Sequence, residues 1–405
     1  SINEAIIAIP SATKELINKI LVALENTKVT IKIVPGFYEI IEGKVLYNQV
    51  RDIEPSDLLG REEVGFDLDK ISTFYRDKVV FVTGAGGSIG SQIFFELFEL
   101  PVKKVIAFGR GENSIHNLIT KMGKDDRFSY VIGDVRDKKK LDRELERFSP
   151  DVVFHVAAHK HVPLMEEYPD EAVKNNIFGT YNLAESSIKN GVKKFIFVST
   201  DKAVNPTSVM GATKRISEKI ILSLNKRQDR TKFQLTRFGN VLGSRGSVIP
   251  IFKEQIEKGG PITITHKDMT RYFMSIREAA RLVIKSASLE TGKIFVLDMG
   301  SPVKIVELAK NLIKLYGYAE DEIPIVFSGI RPGEKLYEEI LTKNEKLKKS
   351  LFEKLFISEE NDLFFNEEEI GFILKEFSDV LETFDKEKIK LSLKKYVEEY
   401  SGIEV

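Results

Sequence analysis

The 405-residue chain contains no cysteine. Disulfides and thiol catalysis are therefore excluded, which fits a reducing compartment. Nor does one sign of charge dominate, because 61 basic residues balance 61 acidic ones. No global field draws the chain to nucleic acid or to a membrane surface, although a local site for a small anionic substrate stays open. Apolar runs are all shorter than the roughly 18 residues that cross a bilayer, and no charged, apolar, small-residue leader opens the chain. Internal repeats and low-complexity segments are also missing. What is present, with 42% hydrophobic residues, is the composition of a soluble globular protein, long enough for a large core and roughly two or three domains. The chain starts at SINEAIIAIP without a methionine, and IIAIPSA reads as a buried strand without an upstream partner, so a fragment of something longer is expected.

Residues 1 to 74 are expected to hold a partial α/β segment and a linker: strand AIIAI, helix TKELINKILVALEN, strand VTIKIVP, a hairpin-like FYEIIEGKVLYNQV and a short helix ending at Tyr75. From Lys78 the texture changes. KVVFVTG, KVIAFGR, FSYVIGD, DVVFHVAA, KFIFVST and FQLTRFG are short Val/Ile/Phe runs separated by segments of helical length. That alternation predicts an α/β fold, a doubly wound parallel sheet of Rossmann type over residues 75–245. An irregular, Gly- and Pro-richer stretch, 246–342, is expected to form a smaller substrate-binding lobe interleaved with it. Residues 343–405 read as a helical tail, with NEKLKKSLFEKL and EEEIGFILKEFSDVLETF as amphipathic surface helices.

TGAGGSIGSQ, Thr83 to Gln92, lies between a predicted strand and a predicted helix, the setting in which a glycine triplet holds a dinucleotide. Gly84 suits the tight turn, Gly87 the approach of a pyrophosphate, and Gly90 the packing of helix on strand, with Ser88 and Ile89 opening the helix whose N-terminus faces the negative charge. The second strand ends FGRGEN. Arg110 there suits a 2′-phosphate, so NADP stands beside NAD as the cofactor; a solvated arginine is the alternative, and Glu112, next to Asn113, can reach the ribose. Asp134 and Val135 end the third strand, the carboxylate placed to accept from the adenine amino group. Ala157 and Ala158 leave room beside the cofactor at the end of the fourth.

One further absence matters. None of the 12 tyrosines has a lysine four residues on, the pair in which a lysine-activated tyrosinate takes a hydroxyl proton. Where a helix follows VSTDKAVNPTS, Met210 and Lys214 occupy that spacing instead. TGAGGSIGSQ, VAAHKHVPLME, NNIFGTYNLAE, VSTDKAVNPTSVMGATKR, RFGNVLGSRGSVIP, MTRYFM and RPGEKLYEE, in this order over residues 55 to 345, resemble the nucleotide-sugar 4,6-dehydratases of the extended short-chain dehydrogenase/reductase superfamily. The likeness is greatest to the large, membrane-anchored UDP-N-acetylglucosamine 4,6-dehydratases of polysaccharide and glycoprotein sugar synthesis.

The resemblance implies NAD or NADP, bound tightly and restored each turnover. It implies a UDP-sugar substrate, oxidised at C4, dehydrated across C5 and C6, and reduced at C6. Asp201 is then the acid for the departing C6 oxygen and Lys202 the base for the C5 proton, neutral through burial beside a cationic Lys214. Thr200 binds the 4-oxygen and Lys214 holds the nicotinamide ribose. With Met210 in the tyrosine's place, Asp201, directly or through Thr200 or a water, is expected to take the O4 proton, and which group takes it stays open. By the same resemblance Asn240, Arg245, Ser247 and Val248 line the sugar and diphosphate, Thr263 meets uracil through its backbone, Arg271 and Arg331 neutralise the pyrophosphate, and Glu334 accepts from the uridine ribose. His159 and Lys160 are substrate-pocket candidates; no carboxylate sits at a ligand spacing from the histidines of HVAAHKH, so no metal is expected. A membrane-anchored whole protein on the cytoplasmic face of a bacterial inner membrane and a homo-oligomer are also implied. A UDP-sugar C4 epimerase and a non-catalytic cofactor-binding relative are the alternative readings. Whether the sugar is glucose or N-acetylglucosamine, and the C5 stereochemistry of the product, stay open.

Overall fold

A computed structural model of the chain describes residues 65–290, 293–342, 345–359 and 364–402, together with 2, 4–9, 14–24, 27, 29–34 and 51–52. It divides into two compact units, one comprising Val64–Gly239, Ile276–Met299 and Arg331–Val405, the other Ser1–Glu63, Asn240–Ser275 and Gly300–Ile330.

The larger unit is built on one sheet, with nine strands among the described residues. In chain order these are β1 (Val79–Thr83), β2 (Lys104–Gly109), β3 (Phe128–Ile132), β4 (Val152–His155), β5 (Lys194–Val198), β6 (Lys232–Arg237), β7 (Ile294–Leu297), β8 (Lys346–Lys349) and β9 (Leu355–Glu359). Their spatial order is β3-β2-β1-β4-β5-β6-β7-β9-β8, parallel from β3 through β7 and antiparallel in the last three. The order 3-2-1-4-5-6 is that of a Rossmann sheet, whose switch point falls between β1 and β4. All six Val/Ile/Phe runs are strands, five of them inside the sheet and β3 at its edge; every residue of β4 and of β5 is buried. Strands covered on both faces lose the polar alternation of half-exposed ones, which is why they read as unbroken apolar runs.

Helices cover both faces. Ser88–Leu97 lies along Ile276–Ala287, where the buried Tyr75 hydroxyl donates to the Ile284 carbonyl at 2.7 Å. On the other face Lys138–Phe148, Gly179–Lys189 and Val209–Arg227 enclose a core that includes Phe81, Phe108, Phe195, Phe197, Ile216 and Ile220. Glu367–Leu381 and Lys386–Tyr396 add Ile373, Phe377, Ile389 and Leu393 to that core, so the amphipathic pattern of the tail does bury one face. NEKLKKSLFEKL, expected as a helix, supplies β8 instead. All four residues of β8 are exposed, so its strand character comes from pairing with β9 at the sheet edge, where lysines discourage further association.

In the smaller unit Glu4–Ile7 pairs in parallel with Thr30–Ile33, and that strand pairs antiparallel with Arg51–Asp52. The partner of the N-terminal strand thus lies downstream. Helix Lys14–Ala23 contributes Ile17 to a small core with Ile7, Val29, Ile31 and Ile33. The hairpin-like 37–50 lies outside the described residues. The short strand Ile262–Ile264 pairs with Ile325–Phe327. No helix among the described residues is long and apolar enough to cross a membrane.

Candidate active site

At the switch point the glycine loop leaves β1. Gly84 has φ +66°, and a Cβ on it would come within 2.7 Å of the Ala157 backbone nitrogen. A Cβ on Gly90 would sit 2.2 Å from the Gly84 carbonyl oxygen. The first turn of Ser88–Leu97, entered from Gly87 without a side-chain cap, therefore seats directly on the loop, its N-terminus presenting the amides and dipole that favour an anion. Gly90→Ala must push helix from loop, and we expect a loss of about 1–3 kcal/mol in urea-monitored unfolding, together with weakened retention of dinucleotide; an unshifted midpoint would show that the loop yields.

Beneath this loop His155 is fully buried. Its Nδ1 lies 2.9 Å from the Thr83 hydroxyl and its Nε2 2.9 Å from that of Thr180. Burial, aided by the charge of Lys214, holds its pKa well below the ordinary value. The neutral ring ties β1 and β4 to helix Gly179–Lys189. The Thr83 hydroxyl also accepts from the Ala157 amide at 3.3 Å, so the small residues Ala157 and Ala158 follow directly from the loop's own anchoring.

Asp134 is not left open at the end of β3. Arg136 grips it, 2.7 Å from Nη2 to Oδ2, and Arg110 lies 3.7 Å from the same oxygen. Burial pushes this carboxyl up, but the hydrogen bonds and charge of Arg136 outweigh it and hold the pKa below the ordinary value. Arg110, more than half exposed, thus shares its carboxylate with Arg136, a residue that sequence reasoning passed over; Glu112 and Asn113 begin helix Glu112–Met122 beside it, and Val135 is buried.

The catalytic candidates sit at the end of β5. Asp201, Lys202 and Ala203 form a single 3-10 turn, entered from Thr200, whose hydroxyl accepts weakly from the Lys202 amide at 3.4 Å. Gly211 makes this placement achievable, because a Cβ there would meet the Lys202 carbonyl oxygen at 2.2 Å. Asp201 is fully buried. Its Oδ1 accepts from the Thr200 hydroxyl at 2.8 Å and from Lys202 Nζ at 3.1 Å, while its Oδ2 is buried without a hydrogen-bond partner. Burial raises the Asp201 pKa, Lys202 opposes the rise and the charge of Glu338 adds to it. Glu338 lies 3.1 Å from Lys202 Nζ. It was not singled out from the sequence, where nothing in RPGEKLYEE sets one glutamate apart from the next.

Met210 is buried in the core, one turn before Lys214 on helix Val209–Arg227. Lys214 Nζ donates to the Val198 carbonyl at 2.8 Å and stands 3.8 Å from the centre of the Phe197 ring. A cationic Lys214 was expected beside Lys202, but the ion-pair partners that Lys202 meets are carboxylates. Lys202 is paired with two carboxylates, and the lysine that feels its charge is Lys160, whose pKa is lowered by burial and then by Lys202. Lys214 itself is drawn down to about 7 by burial, with Glu218 acting in the opposite direction. Between about 7 and its ordinary 10.5 it binds fewer protons folded than unfolded, so its contribution to stability rises with pH across that window and is lost as pH falls toward 7. Unfolding free energies from pH 6.5 to 9.5 should climb more steeply for the unsubstituted protein than for Lys214→Met; equal slopes would contradict this.

His159 is held by Asn176, whose Oδ1 accepts from the His159 amide at 2.8 Å and whose Nδ2 donates to the Thr213 hydroxyl at 3.1 Å. Asn176 lies in a π-helical turn, Val173–Phe178, a rare geometry that clusters at functional sites. Among the described residues no group of three or more His, Cys, Asp or Glu side chains could hold a metal ion.

Of the residues expected to meet the nucleotide, Arg331 and Glu334 belong to the larger unit and lie 3.6 Å apart. The others belong to the smaller unit. Asn240 begins a short strand paired with Phe273–Met274. Arg245 is exposed, and Ser247 precedes the helix that Val248 opens. Arg271 is buried with Nη1 donating to the Thr270 carbonyl at 2.7 Å, and the Thr263 amide is taken by Gln255 Oε1 at 3.2 Å.

Comparison with known proteins fits this geometry. Residues 80–360 match the family described as polysaccharide biosynthesis protein. The chain belongs to that family. Among its relatives in the family, the probable polysaccharide biosynthesis protein EpsC of Bacillus subtilis is 54% identical over 366 residues, covering 89% of this chain and 61% of EpsC. The chain thus spans less than two thirds of that relative's length. A Rickettsia canadensis UDP-glucose 4-epimerase is 37% identical over 67% of this chain and 80% of its own, and a Campylobacter jejuni UDP-N-acetylglucosamine 4,6-dehydratase (inverting) is 36% identical over 67% and 79%. The crystal structure of Pen from Bacillus thuringiensis superposes with a TM-score of 0.65 at 37% identity, covering 70% of this chain and 88% of Pen.

Proposed function

We propose that this member of the polysaccharide biosynthesis family is a nucleotide-sugar 4,6-dehydratase acting on UDP-N-acetylglucosamine. The observation that carries the reading is the turn Thr200-Asp201-Lys202, where an acid and a base are held side by side at the end of β5, one buried carboxylate oxygen unpartnered, in a chain without the tyrosine-lysine pair. A C4 epimerase needs only one proton acceptor at O4; a dehydratase also needs an acid for the C6 oxygen and a base for the C5 proton.

The glycine loop, the uncapped helix start and the switch point fit a nicotinamide dinucleotide, NAD or NADP, which when bound accepts hydride from C4 and returns it to C6. Gly84, Gly87 and Gly90 admit its pyrophosphate, and Ala157 and Ala158 leave room beside it. Lys214, held by the Val198 carbonyl, orients the ribose. Thr200 binds the C4 oxygen, and Asp201 takes its proton. The same carboxyl then gives that proton to the C6 oxygen, which departs as water while Lys202 takes the proton from C5; Lys202 finally returns a proton to C5. One carboxyl serves both steps because they are sequential, and burial that raises its pKa favours the protonated state it must hold between them.

Incubation of UDP-N-acetylglucosamine with the protein in heavy water tests this reading. A 4-keto-6-deoxy product with deuterium at C5 is expected. An unlabelled C4 epimer would replace it with an epimerase, and recovered substrate would leave a cofactor-binding scaffold.

A further inference from the structure

Lys202 must be an unprotonated amine to remove a proton from carbon, yet it lies between two carboxylates, 3.1 Å from Asp201 Oδ1 and 3.1 Å from Glu338 Oε1. Such neighbours ordinarily keep an ammonium charged. The chemistry needs a place for that proton to go, and the position of Glu338 supplies one. Its side chain is 1% exposed, so water competes little for it. Its backbone segment is also tied to the catalytic turn. The Thr207 hydroxyl donates to the Gly333 carbonyl at 2.9 Å, Lys335 Nζ donates to the Val204 carbonyl at 2.8 Å, and Asn205 Nδ2 donates to Glu339 Oε2 at 3.2 Å. Three hydrogen bonds thus fix the strap that carries Glu338 against the loop that carries Lys202.

We infer that Glu338 is the proton-holding and positioning partner of Lys202: it accepts the lysine's proton within the pair and so generates the amine that attacks the C5 hydrogen. This deepens the dehydratase reading and rests on it. The transfer is internal. A Lys202 N–H bond breaks and a Glu338 O–H bond forms, and the net charge is unchanged. Once Asp201 has taken the O4 proton, the ammonium-carboxylate and the amine-acid forms of the Lys202–Glu338 pair are both net neutral, but only the second buries no ionised group, the state that burial favours. During elimination the amine becomes an ammonium again by taking the C5 proton, and it returns to the amine when C5 is reprotonated, so Glu338 keeps its proton throughout. Lys160, whose pKa the charge of Lys202 lowers, is positive and disfavours a lasting ammonium.

The pH dependence distinguishes this role from a structural one. A proton exchanged within a pair does not depend on bulk pH; a proton lost to solvent does. Deuterium entry at C5 of UDP-N-acetylglucosamine in heavy water should be nearly flat from pH 7 to 9 for the unsubstituted protein. In Glu338→Gln, Lys202 must deprotonate to solvent. The rate at pH 7 should fall by roughly 10–100-fold and recover by about tenfold per pH unit. Glu338→Asp keeps an acceptor and should keep the flat profile at a reduced rate. If Glu338→Gln is as fast as the unsubstituted protein at pH 7, or is slow with the same flat profile, Glu338 is a clamp and the proposal is overturned. If the unsubstituted protein forms no labelled 4-keto-6-deoxy sugar, the dehydratase reading fails, and this proposal with it.

Discussion

On the dehydratase proposal, Asp201→Asn is expected to lower turnover by about 10²–10⁴-fold and to slow the first step as well as the second. Asparagine keeps the shape of the side chain and an oxygen for Thr200, but it can neither take the O4 proton nor carry one to O6. The position is fully buried, with one oxygen held by Thr200 and Lys202 and the other unpartnered, so water is poorly placed to act in its stead. Removing the charge still leaves Lys202 paired with Glu338, which keeps the turn folded. A single-turnover trace of nicotinamide absorbance, followed by product analysis, separates the two steps. Oxidation at C4 at an unchanged rate would sink the role of Asp201 as the O4 acceptor and leave it only the later protonation.

Arg237→Met is the substitution with the largest expected effect on stability. Arg237 is fully buried, with Nε 2.7 Å from Glu218 Oε1 and Nη2 2.8 Å from Oε2, and its Nη1 donates to Glu345. Glu218 also accepts from the Ser199 hydroxyl at 2.6 Å and faces Arg215 at 3.3 Å. Burial pushes the Glu218 carboxyl up, but Arg237 overcomes this and keeps it charged, below its ordinary range. Taking away the arginine leaves two buried carboxylates short of a partner, a loss of about 3–5 kcal/mol. Because Ser199 adjoins Thr200, the loss should also loosen the catalytic turn. Urea unfolding of Arg237→Met against Arg237→Met/Glu218→Leu checks the mechanism: the second change should restore part of the stability, and a further loss of the full size would show that the charges matter less than the shape.

How legible was this protein? The six parallel strands, the glycine loop and the neighbourhood of Thr200, Asp201 and Lys202 depend on residues close in sequence. Burial on both faces selects continuous apolar runs, a tight turn selects Gly84, and adjacent positions at a strand end bring Asp201 and Lys202 together whatever the rest of the chain does. The edge strand Lys346–Lys349 had no such mark. Its residues are charged and exposed, and only the β9 ladder makes it a strand. Arg136 was equally silent, because its grip on Asp134 adds nothing to composition or period.

The sequence by itself determined the Rossmann architecture, the loop that suits a dinucleotide, and the lack of any tyrosine with a lysine four residues on, since each is read from residues near one another in the chain. Only the tertiary structure decided which charges meet. It paired Lys202 with Glu338 rather than leaving it beside Lys214, gave Asp134 to Arg136, and buried Glu218 against Arg237. Those contacts join residues from separate strands, helices and loops, and an electrostatic environment is set by distance and burial in space, which spacing along the chain does not encode.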